Sequence, residues 1–565
     1  MRSVRRTHFA VYGSVILLAV LALPLGAQKK KAEAAAPAAA AAPETVDLQM
    51  VTRIRDEEFH HSQVMKTLEH LTDEIGQRLT GSPNVQKANQ WTRDQFASWG
   101  LENAHVEKWG DFGRGWSEQF CSVMMVAPDT AQLYAIPEAW TPGTQGAVRA
   151  PVVAVKLQRV ADFEKYRGKL AGKIVLLGEM PALKLPTEPD FKRYDDQDLD
   201  KIYQYQIPGE RPPFPREEII ARVRFQGELN KFLAEEKVVA AIEPSRGDGG
   251  LIFVQSGASY KTGEPVGVPK LEMAVEHYGR IARLLERDVP VELEVNVQAK
   301  FDEDQAGYDT LAEIPGTDKK DEIVMLGAHL DSWHGGTGAT DNGAGSAVVM
   351  EAVRILKALG VKPRRTIRVA LWTGEEEGLL GSRGYVANHF GSRPAPSDPK
   401  ERDLPSFLWR EQGSLTIKPE QAQIAAYFNI DNGTGKLRGI YTQENAAVVP
   451  IFEEWLKPFH DLGANTVTNR NTGGTDHLSF DAVGIPGFQF IQDPMDYFSR
   501  THHSNMDVYE RAQREDLMQA SAILASFVYN AAMRDQMLPR KPLPPDTKME
   551  APPAPATPAK PGKKK

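Results

Sequence analysis

The central and C-terminal parts of the chain alternate between short apolar runs and amphipathic stretches. Four largely apolar runs predict buried strands: 323–330, 366–372, 424–430 and 487–491. Between the first two, residues 343–359 carry apolar side chains on one face and stop at Gly360, which predicts a helix. Repeated strand–helix units indicate an α/β fold, a mostly parallel mixed sheet sandwiched by helices. Ligands on such sheets bind beyond the carboxyl ends of the strands.

The first 300 residues have a different pattern. Residues 49–74 and 88–99 have helical spacing. The region from 126 to 299 contains short β-rich runs at 152–155, 173–177, 238–242 and 291–297, with helical stretches at 217–236 and 274–285. No run of His, Cys, Asp and Glu with metal-ligand spacing occurs in that region. We expect a main domain formed by 48–125 and 300–536, interrupted by a smaller α/β insert at 126–299.

Both ends of the chain predict segments outside the folded domain. Residues 1–27 carry a basic start, an apolar run and a small-residue end, which is typical of a secretory signal peptide. The alternative is an uncleaved membrane anchor, for which this apolar run is marginal in length. Residues 28–47 and the Pro- and Lys-rich 537–565 predict a disordered linker and tail. We therefore expect a secreted or periplasmic protein without stable membrane insertion after cleavage.

Composition narrows the class of protein. The 565 residues carry a formal net charge of -8, which argues against nucleic acid as a partner because phosphate binding requires clustered Lys and Arg. Cys121 is the single cysteine, so no intramolecular disulfide is expected.

Imidazoles and carboxylates recur next to glycines or predicted strand ends. The segments are His329-Leu330-Asp331, Thr340-Asp341-Asn342-Gly343, Gly374-Glu375-Glu376-Glu377, Ile430-Asp431-Asn432 and His502-His503-Ser504. Each alone is more often a polar turn or surface than a site. Together they offer the nitrogen and oxygen ligands that zinc accepts, and two metals sharing a carboxylate can polarise a carbonyl and deprotonate a water.

Three longer runs carry a family resemblance. They are Gly327-Ala328-His329-Leu330-Asp331-Ser332-Trp333, Gly338-Ala339-Thr340-Asp341-Asn342-Gly343-Ala344-Gly345 and Leu371-Trp372-Thr373-Gly374-Glu375-Glu376-Glu377-Gly378. A fourth, Gly474-Thr475-Asp476-His477, is followed by Gly484-Ile485-Pro486. The set resembles the M28 family of zinc aminopeptidases and carboxypeptidases, most closely its carboxypeptidase Q-like branch, over about residues 48–125 and 300–535.

The resemblance implies a role for each residue. His329 and Asp431 would bind one zinc, Glu376 and His503 a second, and Asp341 would bridge both. Asp331 would orient His329, and Glu375 would be the general base. A cis peptide bond is expected at Asp341–Asn342.

The resemblance also bears on the other histidines and on the insert. His503 is preferred over His502 because Ser504 and Asp507 follow it in the family's pattern, whereas His502 is expected to contact substrate or the oxyanion. His334 and His477 are not expected to be ligands. The insert resembles a protease-associated domain on the runs 172–177 and 268–274, and would be a lid or a dimer contact, which leaves a homodimer open. Residues 183–215 match no pattern.

These observations predict a secreted di-zinc exopeptidase that hydrolyses dipeptides or short peptides through a water bridging the metals. One alternative is a single-zinc aminoacyl cyclase on the same scaffold, and another is a non-catalytic binding protein that keeps the fold. The pattern does not fix the direction of exopeptidase action. A free amine would need an acidic anchor and a free carboxylate would need Arg or Lys, and either could come from the insert. Zinc itself rests on the resemblance, since cobalt or manganese accept similar ligands.

Overall fold

The computed structural model describes residues 44–183, 187–205, 214–410 and 413–550. The predicted signal peptide and most of the predicted linker lie outside these residues. None of the helices in the described ranges combines the length and apolarity that crossing a membrane requires.

Twelve α-helices occur in the described residues. In chain order they are α1 Leu48–His61, α2 Val64–Glu69, α3 Pro83–Ser98, α4 Asp196–Tyr203, α5 Arg216–Glu235, α6 Val275–Leu285, α7 Ala344–Ala358, α8 Leu380–His389, α9 Pro399–Arg402, α10 Val449–Leu456, α11 His477–Asp481 and α12 Arg514–Met533.

The same residues form seventeen strands. They are β1 Glu102–Ala127, β2 Ala131–Leu133, β3 Ala135–Pro137, β4 Val148–Ala154, β5 Ile174–Leu176, β6 Ala240–Pro244, β7 Lys270–Met273, β8 Glu292–Ile314, β9 Lys319–His329, β10 Arg365–Trp372, β11 Gly391–Ser392, β12 Thr416–Ile417, β13 Ile424–Asn429, β14 Leu437–Tyr441, β15 Thr466–Thr468, β16 Gly487–Gln492 and β17 Lys548–Met549.

Most strands join one large mixed sheet, with the order β15-β14-β16-β13-β9-β10-β8-β4-β5-β6-β7-β3. Strands β16, β13, β9 and β10 run parallel to one another, and β8 pairs antiparallel with β10. The carboxyl ends of the four parallel strands therefore meet at one edge of the sheet. The predicted α/β fold is confirmed.

The central strands are mostly apolar where helices cover both faces of the sheet. On one face α7 and α12 pack with α1 and α10 into a core that includes Val324, Leu326 and Phe428. On the other, Met325 and Tyr427 pack against side chains of α8 and α11. A fully buried side chain of this size contributes about 1.5–3 kcal/mol, so a sheet buried on both faces supports a rigid edge for a site.

Two long strands, β1 and β8, pair antiparallel over most of their length and lead from the helix-covered sheet to the insert. The insert has its own apolar clusters, one around Ile174 and Leu271 and one around Phe163 and Leu233. Strand β4 pairs with β8, so the strands of the insert extend the same sheet. The boundaries at 126 and 299 remain a prediction.

Two expectations about local structure differ from what is observed. The helix expected over 49–74 is interrupted after His61, where the backbone N–H of Gln63 donates to Glu351 Oε1 of α7 at 3.0 Å. Residues 537–550, expected to be disordered, are placed on the domain. Leu538 is buried there, and β17 pairs with β12.

The unassigned segment 183–215 contacts the C-terminal part of the main domain. Lys192 pairs with Met495 through both backbone groups, and Arg193 forms ion pairs with Asp493 and Asp516 at 3.1 and 2.7 Å. The described part of this segment therefore stabilises the loop that leads to His502.

Candidate metal centre

Three of the predicted ligand segments lie at adjacent strand ends. His329 is the last residue of β9, opposite Trp372 at the end of β10, and β13 pairs with β9 on its other side. Glu375 and Glu376 follow β10, and Asp431 follows β13. The parallel register therefore places one imidazole between two sources of carboxylate.

Asp341 and His503 reach the same point from loops. Asp341 lies in the turn Ala339–Gly343 that leads into α7, with φ -129°. The Asp341–Asn342 peptide bond is cis, as the resemblance implies. His503 has a left-handed backbone, φ 62°, which is uncommon for a residue with a side chain.

The five predicted ligands form two groups that share Asp341. His329 Nε2 lies 3.3 Å from Asp341 Oδ1 and 3.5 Å from Asp431 Oδ1. His503 Nε2 lies 3.2 Å from Asp341 Oδ2 and 3.0 Å from Glu376 Oε2. One oxygen of Asp341 thus faces each imidazole, which is the arrangement a bridging carboxylate requires.

The chemistry of this cluster fits bound cations. His329 Nε2, Asp341 Oδ2 and Glu376 Oε1 are buried and have no hydrogen-bond partner within the described residues. Buried polar atoms without partners are costly, and several carboxylates at one buried point repel one another. Zinc ions would offset both costs, because imidazole nitrogens and carboxylate oxygens are their usual ligands.

Glu375 belongs to neither group of ligands. Its Oε2 lies 3.9 Å from His329 Nε2, and its side chain is 10% exposed. Burial raises the pKa of Glu375 well above its usual value, although His329 opposes this effect, and the charges of Asp431, Asp476 and Glu376 raise it further. A carboxyl with an elevated pKa beside a ligand cluster can take up a proton and release it again.

Behind the ligands, Asp331 is held in a buried network. His329 Nδ1 contacts the backbone oxygen of Asp331 at 3.1 Å and lies 3.5 Å from Asp331 Oδ1. Asp331 Oδ2 accepts hydrogen bonds from Thr80 Oγ1 at 2.9 Å and from the backbone N–H of Glu376 at 3.3 Å. Asp331 therefore links ligands from both groups.

A buried arginine that the sequence reasoning missed supports the ligand loops. The Arg78 guanidinium is fully buried and donates to five backbone oxygens, those of Leu71, Gly76, Leu330, Thr337 and Gly338. Three of these acceptors lie between His329 and Asp341, so Arg78 fixes the path of the chain from one ligand to the next.

Asp507, which supported the choice of His503, fixes the turn that carries Asp341. Its two oxygens accept from the backbone N–H groups of Thr340 at 2.5 Å and Asp341 at 3.2 Å. The side chain of Asn342 donates to the Ile430 oxygen at 2.9 Å and thereby ties the turn to the end of β13.

The insert contacts the His503 loop directly. Gln255 Nε2 lies 2.9 Å from His503 Nδ1, and the Val254 N–H donates to the His503 oxygen at 3.0 Å. Phe253 forms an antiparallel bridge with Ser504. The insert thus orients a predicted ligand, a contact that no motif indicates.

The remaining histidines have separate environments. His502 stacks on His503 with ring centroids 3.6 Å apart, and its Nε2 is 3.7 Å from Asp341 Oδ2. His334 Nε2 hydrogen-bonds the Pro137 oxygen at 2.7 Å, and His477 Nε2 hydrogen-bonds the Thr472 oxygen at 3.2 Å.

Comparison with known proteins relates the chain to a peptidase family. The sequence model for peptidase family M28 matches residues 309–528, the part that carries every predicted ligand. Carboxypeptidase Q of Mus musculus is 27% identical over 482 residues, covering 83% of this chain and 86% of that protein. Residues 309–528 carry the pattern of peptidase family M28. The chain is a zinc metallopeptidase similar to carboxypeptidase Q, and the predicted resemblance and enzyme class are confirmed.

Two solved structures have a similar fold. The peptidase M28 precursor from Shewanella amazonensis SB2B is 25% identical with a TM-score of 0.60, covering 88% of this chain and 98% of that one. BSAP, a zinc aminopeptidase from Bacillus subtilis, shares the fold at 19% identity and a TM-score of 0.51, covering 84% and 95% of the two chains.

Proposed function

We propose that this M28 peptidase is an exported di-zinc exopeptidase that hydrolyses dipeptides or short peptides. The observation that carries the proposal is the sharing of Asp341 between two ligand groups, 3.3 Å from His329 Nε2 and 3.2 Å from His503 Nε2. His329 and Asp431 would hold one zinc, Glu376 and His503 the other, and Asp341 both. Two zinc ions, when bound, polarise the scissile carbonyl and acidify the attacking water.

The residues of the chain would then handle the protons. The Glu375 carboxylate takes a proton from the water while the oxygen of that water bonds to the carbonyl carbon. Glu375 passes that proton to the departing nitrogen as the C–N bond breaks, so its own carboxylate is regenerated. Asp331 acts through His329 by fixing the orientation of the imidazole. A general base in this role contributes about 10²–10⁴-fold to the rate.

Export and assembly are part of the same proposal. The basic and apolar start of the chain supports a signal peptide and thus a secreted or periplasmic enzyme. The similarity to carboxypeptidase Q supports peptides as substrates. A homodimer remains a prediction.

The test is turnover by the zinc-loaded mature enzyme on a panel of free dipeptides, N-blocked peptides and a peptide with N-terminal glutamine. Cleavage of the free dipeptides is expected. Cyclisation of the glutamine peptide without any hydrolysis would favour the single-zinc cyclase. Zinc binding without turnover of any peptide would favour a non-catalytic binding protein.

A further inference from the structure

Three glutamates from distant parts of the sequence meet on one face of the insert. Strand β7 lies between β6 and β3, and Glu272 of β7 is paired with Glu243 of the parallel strand β6. Glu138 directly follows β3, and its backbone N–H donates to the Lys270 oxygen at 2.9 Å. Because alternate residues of a strand share a face, Lys270 and Glu272 lie on the same side of β7. The fold therefore gathers three carboxylates around one ammonium.

The spacing of the three carboxylates suits a single bound ion. One oxygen from each of Glu138, Glu243 and Glu272 lies within 4.8 Å of the oxygens offered by the other two. Oxygen ligands of calcium lie about 2.3–2.6 Å from the ion, so two ligands of the same ion are at most about 5.2 Å apart. The three oxygens can therefore reach the same ion.

Lys270 does not satisfy this cluster. Its Nζ lies 2.9 Å from Glu138 Oε2 and 3.2 Å from Glu243 Oε1. Glu138 is only 5% exposed, and its other oxygen, Oε1, is buried without a hydrogen-bond partner among the described residues. The same is true of Glu272 Oε2. Buried carboxylate oxygens without partners are costly, and they mark this cluster as they mark the candidate metal centre.

The charges of the cluster do not balance. Three carboxylates face one ammonium, which leaves two negative charges in excess when every group is ionised. Burial raises the pKa of Glu272 to about 9 together with the charges of Glu138 and Glu243, although Lys270 and Arg246 lower it. Arg246 thus offsets only part of the repulsion. A divalent cation would neutralise the excess.

A cavity of about 540 Å³ leads to the cluster. The three glutamates and Lys270 line it, together with His503 of the catalytic part. The cavity gives an ion access and leaves room for the water ligands that calcium accepts. Because the unpartnered oxygens are buried, an ion held between the carboxylates can contact them, whereas a bulkier organic cation in the open part of the cavity cannot.

We propose that the insert binds one calcium ion between Glu138, Glu243 and Glu272. The group offers oxygen ligands without imidazole or thiolate, which favours a hard cation over zinc. Calcium fits better than magnesium because it accepts six to eight oxygens in irregular geometry, whereas magnesium requires a near-ideal octahedron. The three residues are far apart in the sequence, so no ligand spacing indicates this site. The inference goes beyond the proposed function and does not depend on it.

The calcium site would be linked to the candidate metal centre through the backbone. Ala139 follows Glu138, and its N–H donates to the Gln255 oxygen at 2.9 Å. Gln255 Nε2 in turn lies 2.9 Å from His503 Nδ1. Bound calcium would therefore stabilise the strand end that holds Gln255 against a predicted zinc ligand.

The experiment titrates the zinc-loaded mature enzyme with CaCl₂ in a calorimeter, so that the catalytic ligands are already engaged. We expect one calcium per chain, with a Kd of about 10⁻⁴–10⁻³ M as in extracellular calcium modules. Glu272→Gln should raise this Kd by more than about 10-fold, because it removes a ligand oxygen and a charge. The matched control Glu228→Gln changes an exposed carboxylate on α5 of the insert and should bind calcium like the wild type.

Thermal unfolding gives a second measurement that does not depend on turnover. Glutamine resembles the protonated form that Glu272 favours without calcium, so the variant should fold. Calcium at about 10 mM should raise the thermal midpoint of the wild type and of Glu228→Gln by roughly 2–4 °C, and leave that of Glu272→Gln unchanged. Zinc content should be equal in all three proteins.

The outcomes are distinct. Absence of calcium binding by the wild type, or an equal Kd in Glu272→Gln, would overturn the site. Tighter binding of MgCl₂ than of CaCl₂ would overturn the choice of calcium. Loss of zinc from Glu272→Gln in parallel with calcium would also overturn the proposal, because the titration would then report the candidate metal centre.

Discussion

The neighbouring residues Glu375 and Glu376 should give opposite phenotypes when each is changed to glutamine. Glu375 lies in neither ligand group, and its nearest approach to an imidazole is 3.9 Å. Glu376 Oε2 lies 3.0 Å from His503 Nε2, and its other oxygen has no partner within the described residues. Glutamine preserves the shape of either side chain and removes its charge and basicity.

The expected magnitudes follow from these roles. Loss of a general base lowers kcat by about 10²–10⁴-fold, equivalent to about 2.7–5.4 kcal/mol of transition-state stabilisation. Glu375→Gln should therefore lose activity and keep its zinc. Glu376→Gln should lose about one zinc per chain on dialysis, and added zinc should restore part of its activity, because a weakened site refills at higher metal concentration.

The assay pairs zinc analysis by mass spectrometry with kcat at pH 7.5 on the same protein samples, and circular dichroism verifies the fold of both variants. Wild-type turnover in Glu375→Gln would refute the assigned base. Loss of zinc from Glu375→Gln, with retention in Glu376→Gln, would show that the two roles are exchanged.

Three further predictions concern stability and metal. Arg78→Met should lower the free energy of unfolding by about 3–5 kcal/mol in urea titrations, because five buried or partly buried carbonyls lose a charged donor. Arg53→Met, whose guanidinium makes one exposed bond to Leu359, should change it by less than about 0.5 kcal/mol, and equal effects of the two changes would contradict the support role of Arg78. Burial lowers the pKa of His334 to about 4, against about 6.5 in the unfolded chain. As the pH falls from 6.5 to 4, the unfolded state binds a proton that the folded state does not, so the metal-free protein should lose about 3 kcal/mol of unfolding free energy. His334→Gln should flatten this pH dependence, and an identical pH profile in the variant would contradict the prediction. Chelation should abolish activity and lower the midpoint of thermal unfolding, and added zinc should restore both, because the ions bind only the folded state. A midpoint that chelation leaves unchanged would contradict this prediction.

The central strands were predictable because their side chains are buried on both faces. The run 366–372 corresponds to β10 at Arg365–Trp372, and 424–430 corresponds to β13 at Ile424–Asn429. Continuous apolar runs of this length are typical of parallel strands covered by helices. The strand ends bring His329, Glu376 and Asp431 to one edge, whereas Asp341 and His503 reach it from loops and were predicted from the family resemblance alone.

The longest strand was not predictable from its pattern. Strand β1 contains Gly110, Gly113 and Gly115 and has register shifts near each, so its apolar positions do not alternate regularly. It is held instead by pairing with β8, which lies far along the chain and is invisible to local periodicity.

The supporting residues of the site were hidden for a similar reason. Arg78, Thr80 and Gln255 contact the ligand loops from positions about 250 residues away in sequence, and none lies in a motif. Only the fold brings them to the site. The candidate ligands, by contrast, are imidazoles and carboxylates, which can be recognised in the sequence by residue type.

Anomalous diffraction at the zinc edge tests most directly whether Asp341 bridges a pair of zinc ions. Crystals of the zinc-loaded mature enzyme should show two peaks of similar height, roughly 3.5–4 Å apart, on the two sides of the Asp341 carboxylate. A single peak beside His329 or His503 at saturating zinc would contradict a bridged pair.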